Sequence, residues 1–372
     1  MKYYIIAGEA SGDLHGANLL KALFKDDPNA EVRFWGGDLM EQVGGTLVKH
    51  YKDLAFMGFV EVVANLRTIL KNISFCKKDI TAFNPDVIIF IDYPGFNMQI
   101  AKWAKQKGFD THYYISPQIW AWKEGRIKAI KRDINHMYVI LPFEKDFYEK
   151  KHQYKVDYVG HPLLDEISNF QQKASVDFKL KYNLDNRPII ALLPGSRKQE
   201  ITRLLDEMLQ IVNDYPKYQF IIAGAPSLDF SFYQQFINQE NVKFISNDTY
   251  NLLNNAHGAI VTSGTATLET ALFSVPQVVV YKANGISYEI AKRVIKLKYI
   301  SLVNLIMDEL IVTELIQNDC NKTSIKKEFE KIIAGDSRQL ILDKYDELKK
   351  NLGGGGASER VINNIKKNLR NN

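Results

Sequence analysis

The stretch Gly8-Glu9-Ala10-Ser11-Gly12-Asp13 sets two carboxylates and a hydroxyl in a glycine-rich turn directly after the apolar run Tyr3–Ala7. Gly8, Gly12 and Gly16 follow a G-x3-G-x3-G spacing, not the G-x-G-x-x-G that cradles a dinucleotide pyrophosphate. Glu9 and Asp13 would repel a diphosphate at the helix start that follows. An ionised carboxylate only accepts hydrogen bonds and a sugar hydroxyl donates them, so Glu9, Ser11 and Asp13 read as a site for a hydroxylated acceptor. The alternative is that Asp13 caps its own helix and Glu9 is solvated.

Asp92 sits where the fully apolar run Val87–Ile91 ends, beside a turn built on Pro94 and Gly95. A carboxylate at the carboxyl end of a buried strand is desolvated enough for its pKa to rise, which suits a general base. An Asx-turn residue bonding its own backbone would share this address. After the next strand, Trp120 and Trp122 stand beside Lys123, Arg126, Lys128, Lys131 and Arg132. Trp122 is the candidate platform for an acceptor ring, with the cations suited to a phosphate on it. A core tryptophan and a solvated basic helix face explain the same residues.

Phosphate chemistry is expected further on. In Pro194-Gly195-Ser196-Arg197 a strand runs into a glycine turn and a helix, so free N–H groups and the Arg197 fork could hold phosphate oxygens, with Ser196 beside them. A second turn, Ser263-Gly264-Thr265-Ala266, offers small residues and N–H donors at another helix start. Glu269, one helical turn on, could take ribose hydroxyls or instead complete a capping box near Thr265. Neither turn is a Walker A loop, and no Asp-x-Asp pair ends a strand to hold a metal-bound diphosphate. A metal-independent transfer with no cofactor is the expectation.

One amphipathic stretch could meet lipid. Phe59, Val62, Val63, Leu66, Ile69, Leu70 and Ile73 recur at three- and four-residue steps, with Arg67, Lys71, Lys77 and Lys78 on or near the flanks. That pattern suits a helix lying in a headgroup layer, and equally a helix buried in a core.

The elements that must position these residues follow from periodicity. Apolar runs at 3–7, 87–91, 112–115, 189–193, 220–223, 259–262 and 277–281 alternate with helix-length stretches, which predicts an α/β chain with parallel sheets in both halves. The expected organisation is a Rossmann-like domain over 1–167, a second over 168–345, and a helical tail over 346–372 that packs back on the first. At 372 residues the chain is long enough for two such domains facing a cleft. Hydrophobic residues at 46% and charged residues at 24% place it among globular proteins. A net charge of +5 is too small to demand nucleic acid. Cys76 and Cys320 lack zinc or redox spacing, no signal-peptide core follows Met1, and no run of 18 uncharged apolar residues occurs, so a cytoplasmic chain is expected.

Taken in order, AGEASGDLHGA, FMGFVEV, IDYPGFN, YISPQIWAW, LPFEKDFY, VGHPLLD, LLPGSR, SGTATLE and YISLVNLI span Ala7 to Ile306. Together they resemble the lipid-A-disaccharide synthases. The resemblance implies a GT-B glycosyltransferase of two Rossmann-like domains. Its reaction would be an inverting, metal-independent transfer joining UDP-2,3-diacylglucosamine to 2,3-diacylglucosamine 1-phosphate through a β-1,6 linkage, with release of UDP. It also implies a place in lipopolysaccharide synthesis at the cytoplasmic face of the inner membrane of Gram-negative bacteria. By resemblance Asp92 matches the family's essential aspartate, Arg197 the arginine of LPGSR, Glu269 the glutamate of SGTATLE and Asn304 the asparagine of SLPNLL. Val303 replaces the proline of that last motif, and Gly95 stands where some members have a second aspartate, which leaves Asp92 as the sole base. The rival readings are a UDP-N-acetylglucosamine 2-epimerase or other sugar-nucleotide enzyme, and a non-catalytic nucleotide-sugar sensor. The sequence leaves the oligomeric state open, a homodimer included.

Overall fold

The computed structural model describes residues 1–54, 66–173, 177–284, 288 and 297–370. It divides into two units, Met1–Pro162 joined by Gly355–Asn372, and Leu163–Gly354. The first is therefore discontinuous in sequence, and the boundary falls a few residues before the position expected from composition.

In the first unit, β1 (Lys2–Ala7), β2 (Glu31–Gly36), β3 (Thr46–His50), β4 (Val87–Ile91), β5 (Asp110–Tyr114), β6 (His136–Val139) and β7 (Asp157–Tyr158) form one sheet in the order β3-β2-β1-β4-β5-β6-β7. In the second, β8 (Ile189–Leu193), β9 (Gln219–Gly224), β10 (Val242–Ser246), β11 (Ala256–Thr262), β12 (Gln277–Tyr281) and β13 (Glu314–Ile316) run β10-β9-β8-β11-β12-β13. Every pairing is parallel.

Helices cover both faces, so the central strands are apolar throughout. On β4, Ile88 and Phe90 enter one core cluster while Val87, Ile89 and Ile91 enter another. The same division recurs on β8, with Ile189, Ala191 and Leu193 on one side and Ile190 and Leu192 on the other. The edge strands β3 and β10 are only partly buried and carry Lys49, His50, Lys243 and Ser246, which is why they do not read as apolar runs.

Strand order reverses between β1 and β4 in the first unit and between β8 and β11 in the second. In open parallel sheets, ligands bind beyond the carboxyl ends of the strands at that point.

Candidate active site

At the first switch point β1 and β4 are paired, with Ala7 opposite Ile91, so Gly8–Glu9 and Asp92–Tyr93 leave the sheet as neighbours. Asp92 and Tyr93 are both left-handed, with φ of 43° and 50°. Such non-glycine geometry costs on the order of 1–3 kcal/mol per residue and survives only where surroundings enforce it. Here the Asp92 N–H donates to the Tyr114 carbonyl at 3.1 Å. The Asp92 carbonyl accepts from Tyr113 Oη at 2.6 Å and Asn97 Nδ2 at 2.7 Å. Asn97 Nδ2 also lies 3.2 Å from the Ile91 carbonyl and 3.4 Å from that of Ile6, tying both strand ends together. Gly8 is demanded by this turn, because a Cβ there would lie 2.2 Å from the Tyr93 ring.

The Asp92 backbone is thus fixed. Burial, then the nearby charge of Glu9, pushes its carboxyl up to about 6, against the opposing pull of the Tyr93 N–H. Glu9 is the N-cap of the helix Ala10–Asp26 but makes no side-chain cap bond, and Ser11 is exposed.

Asp13 has a different role from the one expected. Its buried carboxylate accepts from the N–H groups of Gly37 at 2.7 Å, Met40 at 3.1 Å and Leu39 at 3.1 Å. It therefore caps the helix Asp38–Val43, whose own N-cap Gly37 has no side chain, and its oxygens are engaged away from any acceptor. Two buried histidines far apart in sequence, to which the motif reading gave no role, lie near one another in this unit. His15 has a buried, unpartnered Nδ1, and burial pushes it down to about 4; His161 falls to about 3 through burial and the nearness of His15.

The two tryptophans separate. Trp120 Nε1 donates to Glu144 Oε1 at 3.2 Å, and the buried Glu144 also accepts from Ser116 Oγ at 2.6 Å and from the N–H groups of Leu141 and Ile140. Trp122 is 47% exposed with Lys123 Nζ 4.0 Å from its ring centroid, a face already holding a cation.

In the helix Leu66–Phe83, Ile73 is buried in the core and Ile69 packs against it, so these two are core residues and not lipid contacts. Leu70 is 56% exposed. Phe59, Val62, Val63 and the Leu66 side chain lie outside the described residues.

In the second unit β8 and β11 are adjacent, with Leu193 opposite Val261. The loops that follow line a cavity of ≈ 320 Å³ with Gly195, Ser196, Glu200, Gly224, Ser263, Gly264, Thr265, Ala266 and Glu269. Gly195 and Gly264 adopt φ of 111° and 151°, which side-chain-bearing residues avoid. The helix Thr265–Leu272 starts without a side-chain cap, so Glu269 is no capping-box partner; it accepts from Tyr250 Oη at 3.1 Å, and burial raises its carboxyl. Ser263 Oγ donates to the Ile300 carbonyl at 2.7 Å. Arg197 lines a neighbouring basic pocket with Lys198, Arg203 and Lys282.

Sequence reasoning missed Glu200. Its carboxylate receives the backbone N–H groups of Ser196 and Arg197 and lies 3.4 Å from Thr262 Oγ1, while burial raises its pKa. A carboxylate from the chain itself thus occupies the donors that a ligand phosphate would use. The signal was its place three residues after the N-cap Arg197.

Asn304 is also reassigned. It is buried, with Nδ2 donating to the Val312 carbonyl and Glu314 Oε1 and Oδ1 accepting from the N–H groups of Ile311 and Val312. Every polar atom of that side chain is engaged in holding the segment 304–314, leaving none for a nucleotide.

Known proteins fit this arrangement. The sequence model of the lipid-A-disaccharide synthetase family matches residues 3–361. The lipid-A-disaccharide synthase of Coxiella burnetii strain CbuK_Q154 is 38% identical over 362 residues, covering 96% of each chain. That of Syntrophus aciditrophicus strain SB is 40% identical over 369 residues, 96% of this chain and 95% of that protein. Among solved structures, the UDP-GlcNAc 2-epimerase of Neisseria meningitidis bound to UDP-GlcNAc superposes with a TM-score of 0.72 at 14% identity, covering 99% of this chain and 100% of that one. The glycotransferase of kitacinnamycin does so at 0.67 and 10%, covering 98% of both. Those two structures share the architecture and no more, whereas the sequence relatives share identity along nearly the whole length. With two parallel sheets whose switch-point loops carry the motifs AGEASGD, IDYPGFN, LLPGSR and SGTATLE, the chain belongs to the lipid-A-disaccharide synthase family.

Proposed function

We propose that the chain joins UDP-2,3-diacylglucosamine to 2,3-diacylglucosamine 1-phosphate, with UDP as the leaving group. The Asp92 carboxylate takes the proton of the acceptor 6-hydroxyl as that oxygen attacks the donor's anomeric carbon. The bond from that carbon to the diphosphate breaks with inversion, and UDP departs with the electron pair. Arg197, Ser196 and the N–H groups of Ser263, Gly264, Thr265 and Ala266 hold the departing diphosphate, while Glu269 takes the ribose hydroxyls. Glu200 must give up the Ser196 and Arg197 N–H groups as the phosphate arrives. Glu9, Ser11 and Trp122 face the acceptor. The exposed Leu70 and Phe75, with exposed Arg67, Lys71 and Lys78, support contact with anionic headgroups at the cytoplasmic face of the inner membrane. Among the described residues no helix is long and apolar enough to cross a membrane.

The observation that carries the proposal is the raised Asp92 carboxyl on a backbone fixed at the switch point. The test is UDP release in detergent micelles containing EDTA. Wild-type protein should release UDP only when the acceptor is present, and Asp92→Asn should lose ~10²–10⁴ in rate while remaining folded. Near-normal turnover by the folded variant would remove Asp92 as base. Release that ignores the acceptor would remove the transfer itself.

A further inference from the structure

At the amino ends of β5 and β6, away from every motif above, three side chains with metal-binding chemistry converge. Strand alternation puts Asp110 and His112 on one face of β5, and parallel pairing sets His112 opposite His136 on β6. One ligand atom from each lies within 4.8 Å of the other two. His112 Nε2 is 2.9 Å from Asp110 Oδ2, and His136 Nε2 is 3.9 Å from Asp110 Oδ1. A tetrahedral zinc ion with ligands at about 2.1 Å holds them about 3.4 Å apart, and these separations bracket that value.

The surroundings are those a metal site needs. His112 is fully buried, and its Nδ1 lies 2.8 Å from Tyr138 Oη, which leaves the Nε2 lone pair for an ion when Nδ1 carries the proton. Tyr138 Oη is reached in turn by Asn368 Nδ2 at 3.4 Å, from the helix Ala357–Arg370. Asn135 Nδ2 donates to Asp110 Oδ1 at 2.9 Å and fixes the carboxylate. The Asp110 and His136 side chains are 14% and 25% exposed, so an ion can enter and keep a water ligand. Asp157 adds negative charge facing His136; Lys105 opposes it, though its Nζ is held 2.6 Å from Asn135 Oδ1.

A buried histidine on a carboxylate is complete with one imidazole. Here a second ring lies 4.6 Å from the first, tilted by 31°, with its Nε2 3.9 Å from the same carboxylate, which a simple Asp–His pair does not require. We infer that Asp110, His112 and His136 form a site for one borderline divalent ion, zinc above all. Two imidazoles and one carboxylate favour such an ion over magnesium or calcium, which prefer oxygen alone. The ion would clasp β5, β6 and, through Tyr138, the helix Ala357–Arg370. Asp92 bonds the Tyr114 carbonyl at the carboxyl end of β5, four residues from Asp110 and two from His112, so none of the three ligands contacts the proposed base.

The test is calorimetric titration of the chelator-treated full chain with Zn²⁺, with Co²⁺ absorption reporting the nitrogen ligands. The wild-type protein should bind one equivalent and be raised in melting temperature by it. His136→Ala should weaken binding at least tenfold and lose the melting shift while UDP release is kept. Asp110→Asn, which preserves side-chain size, makes the same comparison should His136→Ala fold poorly. No saturable binding, or equal binding by wild type and variants, overturns the inference.

Discussion

As the proposed base Asp92 must be ionised to accept a proton, and burial with the charge of Glu9 raises its carboxyl to about 6. The ionised form is lost as pH falls through that value, so kcat/KM should be level from pH 7 to 8 and drop about tenfold per pH unit below 6. Glu9→Gln removes the like charge but not the burial. Its acid limb should move to lower pH without returning to the ordinary carboxylate range, as read from a pH–rate profile of the variant. A limb that stays in place would mean Glu9 does not act on Asp92. Residue identity alone could not set this pairing. Glu9 and Asp92 are 83 positions apart, and only the pairing of β1 with β4 brings their loops together. Glu200 is the opposite case, since its position after LPGSR is plain in sequence but its occupation of the Ser196 and Arg197 N–H groups is a tertiary fact.

Among the elements, the short helix Asp38–Val43 shows how a site motif can serve structure. Six residues hold too few internal bonds to be stable alone, and Asp13 supplies from the helix Ala10–Asp26 the acceptor that Gly37 cannot. Asp13→Ala leaves three N–H groups without that carboxylate and should cost about 2 kcal/mol in urea unfolding. Asp13→Asn should cost less, because one oxygen remains. In both variants the folded fraction should keep the wild-type KM for the acceptor, which a hydroxyl-binding Asp13 would not allow. Asn304 repeats the lesson in the second unit, where an asparagine of a named motif spends both its amide ends on the backbone and carboxylate around Val312 and Glu314.

At the scale of the whole molecule, the chain finishes in the unit where it began. The helix Ala357–Arg370 buries Val361, Ile362 and Ile365 in the cluster that holds Leu19, Leu20 and Leu23. Arg360 Nε also donates to the Val159 carbonyl at 2.7 Å, and Lys366 pairs with Asp26. At roughly 1.5–3 kcal/mol for each fully buried aliphatic side chain, removing residues 355–372 should cost the first unit on the order of 5 kcal/mol. A chain ending at Gly354 should therefore show an early unfolding step in urea while the UDP binding proposed for the second unit is retained, and a single unshifted transition would contradict this.

The parallel α/β character was legible in the residues alone, because central strands covered on both faces must be apolar along their whole length, as Val87–Ile91 and Ile189–Leu193 are. So were the switch-point loops, because glycines and small residues stand where the chain turns sharply from a strand into the next helix, as at Gly195 and Gly264. Which polar groups remain for ligands was settled by the three-dimensional packing instead. A carboxylate or amide can spend its hydrogen bonds on backbone far away in sequence, as Asp13 does at Gly37–Met40. Likewise the grouping of Asp110, His112 and His136 comes from strand register, which local sequence does not encode.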